Sequence, residues 1–585
     1  MIGRNEHNPR RATPARWTVK GFMKRRLGQE RTRIVCAIVA ELACATALAQ
    51  SSWRPGPEGS WTHLAGNPQR ALLSPHPLPD LSCVAWKRSL DSDGRWIEFG
   101  WHTSPVVNAT RVFAVGRVQV GPVTTFKMFA FERNTGASAW EASLPPPVLA
   151  FDPQSSPALD FFNHTVVTCA ASVVTALDTQ SGAVAWQTTL PGSATGVVNA
   201  SPLITSDLGP RDRLFVTDYD GFGQTSKLYC INVDPFIAGV NPYQPGELVW
   251  SVPIGGATGS SPSYLPRREG GPSVFVASIG AYNSAPGQIF AYDASQNIPT
   301  VRWIYSLPVL QGFFGGSCVA TMRACGGGES QVSPRPTLLA ATYAFAGNIH
   351  NSRVVALDAR TGASMGIANS NRSASIPVPV SDRRFLLAGG LPAYGSAPSL
   401  RAFHFESSDC NEIDIDWDSA VTTWHDANNN NAMDPGEYLP MAGWQMHAAA
   451  ARFAGKSSVL CGLQSDSALS EPALCLHKID PQHKPDDADW ITQSSPIAGG
   501  PSALAGANAY SIGIEGLVAF GPPPVRFDTE FDADVDCDDL CAWERGYGQR
   551  DVDADGDTDE QDRRALVTLV RHREGGQLTE GRFVQ

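Results

Sequence analysis

The chain has 585 residues, enough for one large domain or for several. Its 54 glycines, 44 prolines and only 17% charged residues suit many short strands joined by tight turns, and argue against a helical protein. A formal net charge of −12 speaks against a nucleic-acid partner.

Residues 4–33 carry a run of basic side chains, including Arg10-Arg11 and Lys24-Arg25-Arg26. An apolar stretch, residues 34–49, follows and ends Ala47-Leu48-Ala49-Gln50. Basic region, apolar region and A-x-A step together predict a secretory signal, residues 1–49, cut after Ala49. The apolar stretch is interrupted by Glu41 and is shorter than the ~20 residues of a membrane span. Met1 and Met23 are alternative starts, and Arg25-Arg26-Leu27 is a weak match to twin-arginine export. The expected location is therefore exported: periplasm, cell surface or medium. Removal of the signal leaves 45 − 10 = 35 basic and 57 − 3 = 54 acidic residues, a net charge near −19. It also leaves ten of the twelve cysteines, for which export makes disulfides plausible. Cys318 with Cys325 and Cys461 with Cys475 are close enough to pair across a loop or hairpin, although spacing does not fix connectivity.

After a lead-in, residues 50–81, one phrase recurs through residues 82–521. Its fullest copy is Ser156-Pro157, then Thr165-Val166-Val167, Ala176-Leu177-Asp178, Ser181-Gly182 and Trp186. Copies open near Ser104, Ser156, Ser201, Ser261, Ser317, Ser375, His447 and Pro501-Ser502. Proline lacks an N–H donor and suits the start of a strand. Asp followed by Ser/Thr-Gly makes a tight turn, and the tryptophan buries a large surface against the next unit. A repeat of roughly 45–60 residues that cannot cover both of its faces alone stacks radially into a propeller. The last copy, 501–520, lacks a Trp-bearing strand, whereas an orphan strand of that kind, Ser82 to Lys87 around Trp86, precedes the first copy. Pairing the two closes the ring and hides its edges. The expected fold is all-β, an eight-bladed propeller with seven blades as the alternative, followed by a small helical module.

The phrase, with the lead-in Trp61 … Gly66-Asn67-Pro68-Gln69-Arg70, resembles the PQQ-like (quinoprotein-type) β-propeller family over roughly residues 60–520. That family contains PQQ-dependent dehydrogenases and non-catalytic scaffolds such as the outer-membrane assembly lipoprotein. Of the features the resemblance leads one to seek in the catalytic branch, the vicinal cysteine pair and the C-x-x-C-H haem motif are absent from the sequence. Asp218 and Asp220 are the nearest candidates for a general base, and read equally as a polar turn. No G-x-S-x-G elbow occurs, and His102, His164, His404 and His447 are scattered singly. PQQ is therefore not the expected cofactor.

Calcium is. Asp551, Asp553, Asp555, Asp557, Asp559 and Asp562 form a twelve-residue loop with oxygen ligands at positions 1, 3, 5 and 12 and Gly556 at the sharp turn. Twenty-three residues earlier, Asp528, Glu530, Asp532, Asp534, Asp536 and Asp539 repeat the pattern. There Glu530 stands at position 3 and Ala533 at position 6. A non-glycine residue in a left-handed conformation costs on the order of 1 kcal/mol, so this second site is expected to be the weaker. Each loop precedes a short helical pattern, Leu540 and Trp543 in one case and Leu566, Leu569 and Val570 in the other. The pair resembles a type I dockerin over about residues 525–575, set off by the stiff linker Pro522-Pro523-Pro524. The resemblance implies docking to a cohesin-like or other surface protein. Positions 10 and 11, often Ser-Thr in that family, are Cys537-Asp538 and Glu560-Gln561, which separates docking as such from cellulosome-type cohesin binding.

A third loop lies in the segment 406–446, read as an insertion between blades. Asp426, Asn428, Asn430, Asp434 and Glu437 place oxygen at positions 1, 3, 5, 9 and 12, and Ala432 would offer its carbonyl at position 7. Asn431 at position 6 tolerates positive φ. The expected function is an exported, non-catalytic propeller scaffold that presents a ligand and is docked by a calcium-folded tail. The alternative is an enzyme, either a PQQ-dependent dehydrogenase or a carbohydrate-active protein recruited through its dockerin.

Overall fold

In the computed structural model the strands gather into eight mainly antiparallel sheets arranged in chain order. The structure describes residues 59–521, apart from 101, 147, 149–154, 194, 221–222, 257–258, 282–283, 325–332, 345–350, 393–394, 406–412, 444 and 464–474. The signal and the two C-terminal acidic loops lie outside the described residues.

The repeat phrase maps directly onto the blades. In the second blade the strands are Ala158–Asp160, Thr165–Ala170, Val173–Asp178 and Val184–Thr189, from the axis outward. The inner strands read as continuous apolar runs because sheets cover them on both faces. Every residue of Thr165–Ala170 is buried, whereas the rim strand Val184–Thr189 alternates between exposed and half-buried. Asp178 organises the turn between the last two strands. Its carboxylate accepts from the Ser181 backbone N–H at 2.7 Å and from the Ser181 hydroxyl at 2.6 Å.

In several blades the tryptophan locks one blade to the next. The indole N–H of Trp140 donates to the Thr179 carbonyl at 3.1 Å, and that of Trp303 to Ala359 at 3.3 Å. The turn glycine leaves room for the ring: a Cβ on Gly182 would lie 2.6 Å from Trp140, and one on Gly362 would lie 2.7 Å from Trp303.

The ring closes as the sequence predicts. Val84–Arg88 pairs antiparallel with Gly516–Phe520, with Val84 opposite Phe520 and Arg88 opposite Leu517. Trp86 then docks on the first blade, donating to the Arg133 carbonyl at 2.8 Å. Eight blades, not seven, result.

Two expectations are adjusted. Ile413–Asp418, inside the segment 406–446 read as an insertion, is the outer strand of the sixth blade and pairs with Ser399–Phe405. Cys461 and Cys475 are both free thiols. They sit on neighbouring strands, but Cys461 is opposite His477 and Cys475 opposite Leu463, so they are offset in register rather than bridged. Cys318 is also a free thiol, buried in the core, and Cys325 lies outside the described residues. Among the described residues no helix is long and apolar enough to cross a membrane.

Candidate functional site

The propeller axis, where a ring of blades converges, is filled by the chain's own lead-in. Tight turns coil this segment: Thr62 N–H donates to Gly66 O at 2.8 Å and Arg70 N–H to Asn67 O at 2.9 Å. Gly66 has φ +97°, and a Cβ there would lie 2.3 Å from Leu72. The coil then visits one innermost strand after another. Trp61 bridges Val107 in the first blade, Thr62 O accepts from Leu159 N in the second, and Gln69 O accepts from Val319 N in the fifth. Leu73–Ser74 runs parallel to Ala450 and Ala451 of the seventh.

Arg70 is the centre of this plug and is fully buried. Its Nε donates to Pro262 O at 2.5 Å, one terminal nitrogen to Ser201 O at 2.7 Å and the other to Leu64 O at 3.2 Å. Burial pulls the guanidinium down to about 9, which leaves it charged at neutral pH. A buried charge is tolerated only where its donors are matched, and here carbonyl oxygens of two different blades match them. Burial, aided by that cation, keeps two neighbouring histidines neutral. Burial first, then Arg70, lowers His63 well below the usual imidazole range and His447 to about 3. His63 Nε2 accepts from Ile204 N at 3.1 Å, and His447 Nδ1 accepts from Ile376 N at 3.1 Å.

Along the first four blades runs a belt made by the first residue of the repeat phrase. Ser104 N–H donates to Ser156 Oγ, Ser156 N–H to Ser201 Oγ, and Ser201 N–H to Ser261 Oγ, each at 2.9 Å. Each serine thus clasps the preceding blade, a role that sequence reasoning missed. The signal was available in the recurrence of serine before proline.

The candidate bases Asp218 and Asp220 are turn organisers. Asp218 accepts from Lys227 N at 2.7 Å, and Asp220 from Thr225 N at 2.7 Å and Ser226 N at 3.1 Å. His102 and His447 both line a small cavity beside the plug, whereas His164 and His404 do not. That cavity measures about 20 Å³, the scale of a single water molecule.

The inserted loop adopts the expected turn. Asn431 has φ +58°, and Asp426 accepts from Asn430 N at 3.2 Å and Asn431 N at 2.8 Å. Glu437 reaches back to accept from Ala427 N at 3.1 Å and Asn428 N at 3.3 Å. The side-chain amides of Asn428 and Asn430 donate to Asp434 at 2.7 and 2.6 Å, which lowers its carboxyl. Ala432 N–H donates to Asn430 Oδ1 at 2.7 Å. Among the described residues no three His, Cys, Asp or Glu side chains gather into a metal-holding group. In this loop the carboxylates are engaged by amides and backbone donors. The predicted ligands at 528–539 and 551–562 lie outside the described residues.

Six four-stranded and two five-stranded sheets, a closing N-terminal strand and tryptophan-docked turns make an eight-bladed β-propeller. Residues 83–235 match the family described as outer membrane protein assembly factor BamB. The match covers the closing strand, the first two blades and most of the third. No curated protein matches the sequence. Among solved structures, a europium-containing methanol dehydrogenase is similar, with a TM-score of 0.50 and 12% identity over 80% of this chain and 90% of that one. BamB from Moraxella catarrhalis gives 0.43 and 16% identity over 74% and 96% of the respective chains. A quinohemoprotein alcohol dehydrogenase from Comamonas testosteroni gives 0.47 and 12% over 79% and 77%. At these identities the likeness is one of fold.

The small cavity lined by Leu64, His102, Ser201 and His447 is far smaller than a tricyclic quinone.

Proposed function

We propose that this chain is an exported propeller scaffold whose rim and faces present binding surfaces, with no chemistry at the axis. The observation that carries this reading is the plug: Arg70 and His63 Nε2 bond to blade backbone, and Trp61 is buried where its backbone bridges Val107. The match of residues 83–235 to an assembly-factor family supports a protein-interaction role in the cell envelope. The acidic loops at 528–539 and 551–562 would bind calcium, fold the tail on it and dock the propeller to a cohesin-like or other surface protein. The loop at 426–437 would take a further calcium ion once the amides of Asn428 and Asn430 turn their oxygens inward, a rearrangement that costs little at an exposed site.

A tail-directed pull-down from the native organism tests the docking role. The expected result is a calcium-dependent protein partner that the chain lacking 522–585 does not capture. Equal capture with and without the tail would overturn it. The second reading, a quinone-dependent or carbohydrate-active enzyme, is supported by the fold likeness to alcohol dehydrogenases and predicts turnover that the scaffold reading does not.

A further inference from the structure

A cleft of about 460 Å³ opens between the sixth and seventh blades, away from the axis. It lies at the end of the blades that carries the Asp-turns. One wall is the turn Val380–Arg384 with His404, Phe405 and Asp416; the other is Ser457 with the Pro481-Gln482 turn. Two repeats of one fold supply different chemistry to it.

Most of its polar groups are already matched. Asp416 lies 2.7 Å from Arg384 Nε and 2.6 Å from His404 Nδ1. Asp382 pairs with Arg323 at 3.0 Å, outside the cleft. Ser457 donates to Val380 O at 2.5 Å, which ties the two walls together. Ser381 accepts from the backbone N–H of Arg383 at 3.2 Å and of Arg384 at 3.0 Å. These two bonds fix the turn that carries both arginines.

Two side chains stand apart. The guanidinium of Arg383 has no ion-pair or hydrogen-bond partner among the described residues, and neither does the side-chain amide of Gln482 on the opposite wall. Asp416 is matched to Arg384 and Asp382 to Arg323, which leaves Arg383 as the lining cation with no carboxylate partner among the described residues. The lining mixes buried apolar surface from Phe405 with hydroxyl, amide and imidazole groups. A pocket of this size, part apolar with a few convergent polar groups, is the usual form of a small-molecule site.

We propose that this inter-blade cleft binds a small carboxylate, with Arg383 as its anion anchor and Gln482 contacting the body of the ligand. A planar guanidinium with free donors matches a carboxylate in a two-point geometry that no neutral group reproduces. The proposal does not depend on the axial plug or on the tail. It predicts a site of chemically defined class on a scaffold to which the fold itself assigns none.

The test is calorimetric titration of the full chain with two carboxylates of different body, D-glucuronate and N-acetyl-L-glutamate, and with neutral D-glucose. Saturable binding of either carboxylate, with glucose at least about tenfold weaker, is expected. Which carboxylate binds tells whether the body is a sugar or an amino acid. Arg383→Ala should weaken that binding about tenfold or more, Arg383→Lys by less, and Gln482→Ala by a smaller factor. Both positions lie on surface turns, so an unchanged circular dichroism spectrum accompanies the loss. Failure of both carboxylates to bind, or equal affinity in the wild type and Arg383→Ala, would overturn the proposal.

Discussion

Arg70 donates to the carbonyl of Ser201 at 2.7 Å, across 131 positions of sequence, and so ties the lead-in to the third blade from inside the ring. The same guanidinium reaches Pro262 in the fourth blade. The plug is therefore part of the fold rather than a tail laid upon it.

Removing that guanidinium exposes the cost. Arg70→Ala leaves at least two buried carbonyls without a donor, at about 1–3 kcal/mol each. Urea unfolding should show a loss of several kcal/mol, and Arg70→Lys, which can still serve one carbonyl, a smaller one. An unchanged midpoint in Arg70→Ala would mean that the plug contributes nothing to stability.

Ring closure makes a second prediction. Gly136 has φ +64°, and a Cβ there would lie 2.5 Å from Trp86, whereas Gly121 has φ +60° with nothing within 4 Å. Both alanine variants carry left-handed strain of about 1–2 kcal/mol, but only Gly136→Ala also overpacks a ring, for a further ~1–3 kcal/mol. Thermal unfolding of the two should therefore separate, with Gly136→Ala the less stable. Equal melting temperatures would argue against the docking of Trp86.

The extent to which sequence reveals all this differs residue by residue. Trp86 was legible because an orphan strand and a blade lacking one are both local patterns. The blade turns were legible because Asp178 and Gly182 act within five residues. Arg70 was not, since nothing in a sequence marks an arginine whose partners are carbonyls more than a hundred residues away. Ile413–Asp418 falls inside the segment read as an insertion, although its alternation Ile-Asp-Ile-Asp-Trp-Asp is the signature of a rim strand with one wet face. The cleft at Arg383 has no sequence signal, because its two walls come from different repeats and meet only when the ring forms.

A buried acid gives a pH dependence. Burial raises the Asp212 carboxyl to about 8, and the neighbouring carboxylates Asp234 and Asp160 push in the same direction. Between the ordinary value of 3.8 and about 8 the native state therefore holds a proton that the unfolded chain has released. Stability falls as pH rises through that window. Asp212→Asn should flatten the fall, read by urea unfolding at pH 5 and pH 8. A wild-type stability that rises over this range, with no difference in the variant, would contradict the assignment.

Calcium should govern the C-terminal segment. Limited proteolysis within 522–585 is expected to slow with calcium and accelerate with a chelator. Asp551→Ala should lose more calcium affinity than Asp528→Ala, because Gly556 suits the sharp turn and Ala533 does not. Identical digestion in both conditions would remove the basis for a calcium-folded tail.

The most direct measurement concerns the axis. Purified protein is incubated with PQQ and calcium, passed through gel filtration, and examined for a co-eluting quinone absorbance band and for dye-linked dehydrogenase turnover with alcohols and sugars. With Arg70, His63 and Trp61 filling the centre, the account predicts no retained band and no turnover. A stoichiometric band that survives gel filtration, accompanied by dye reduction, would contradict it.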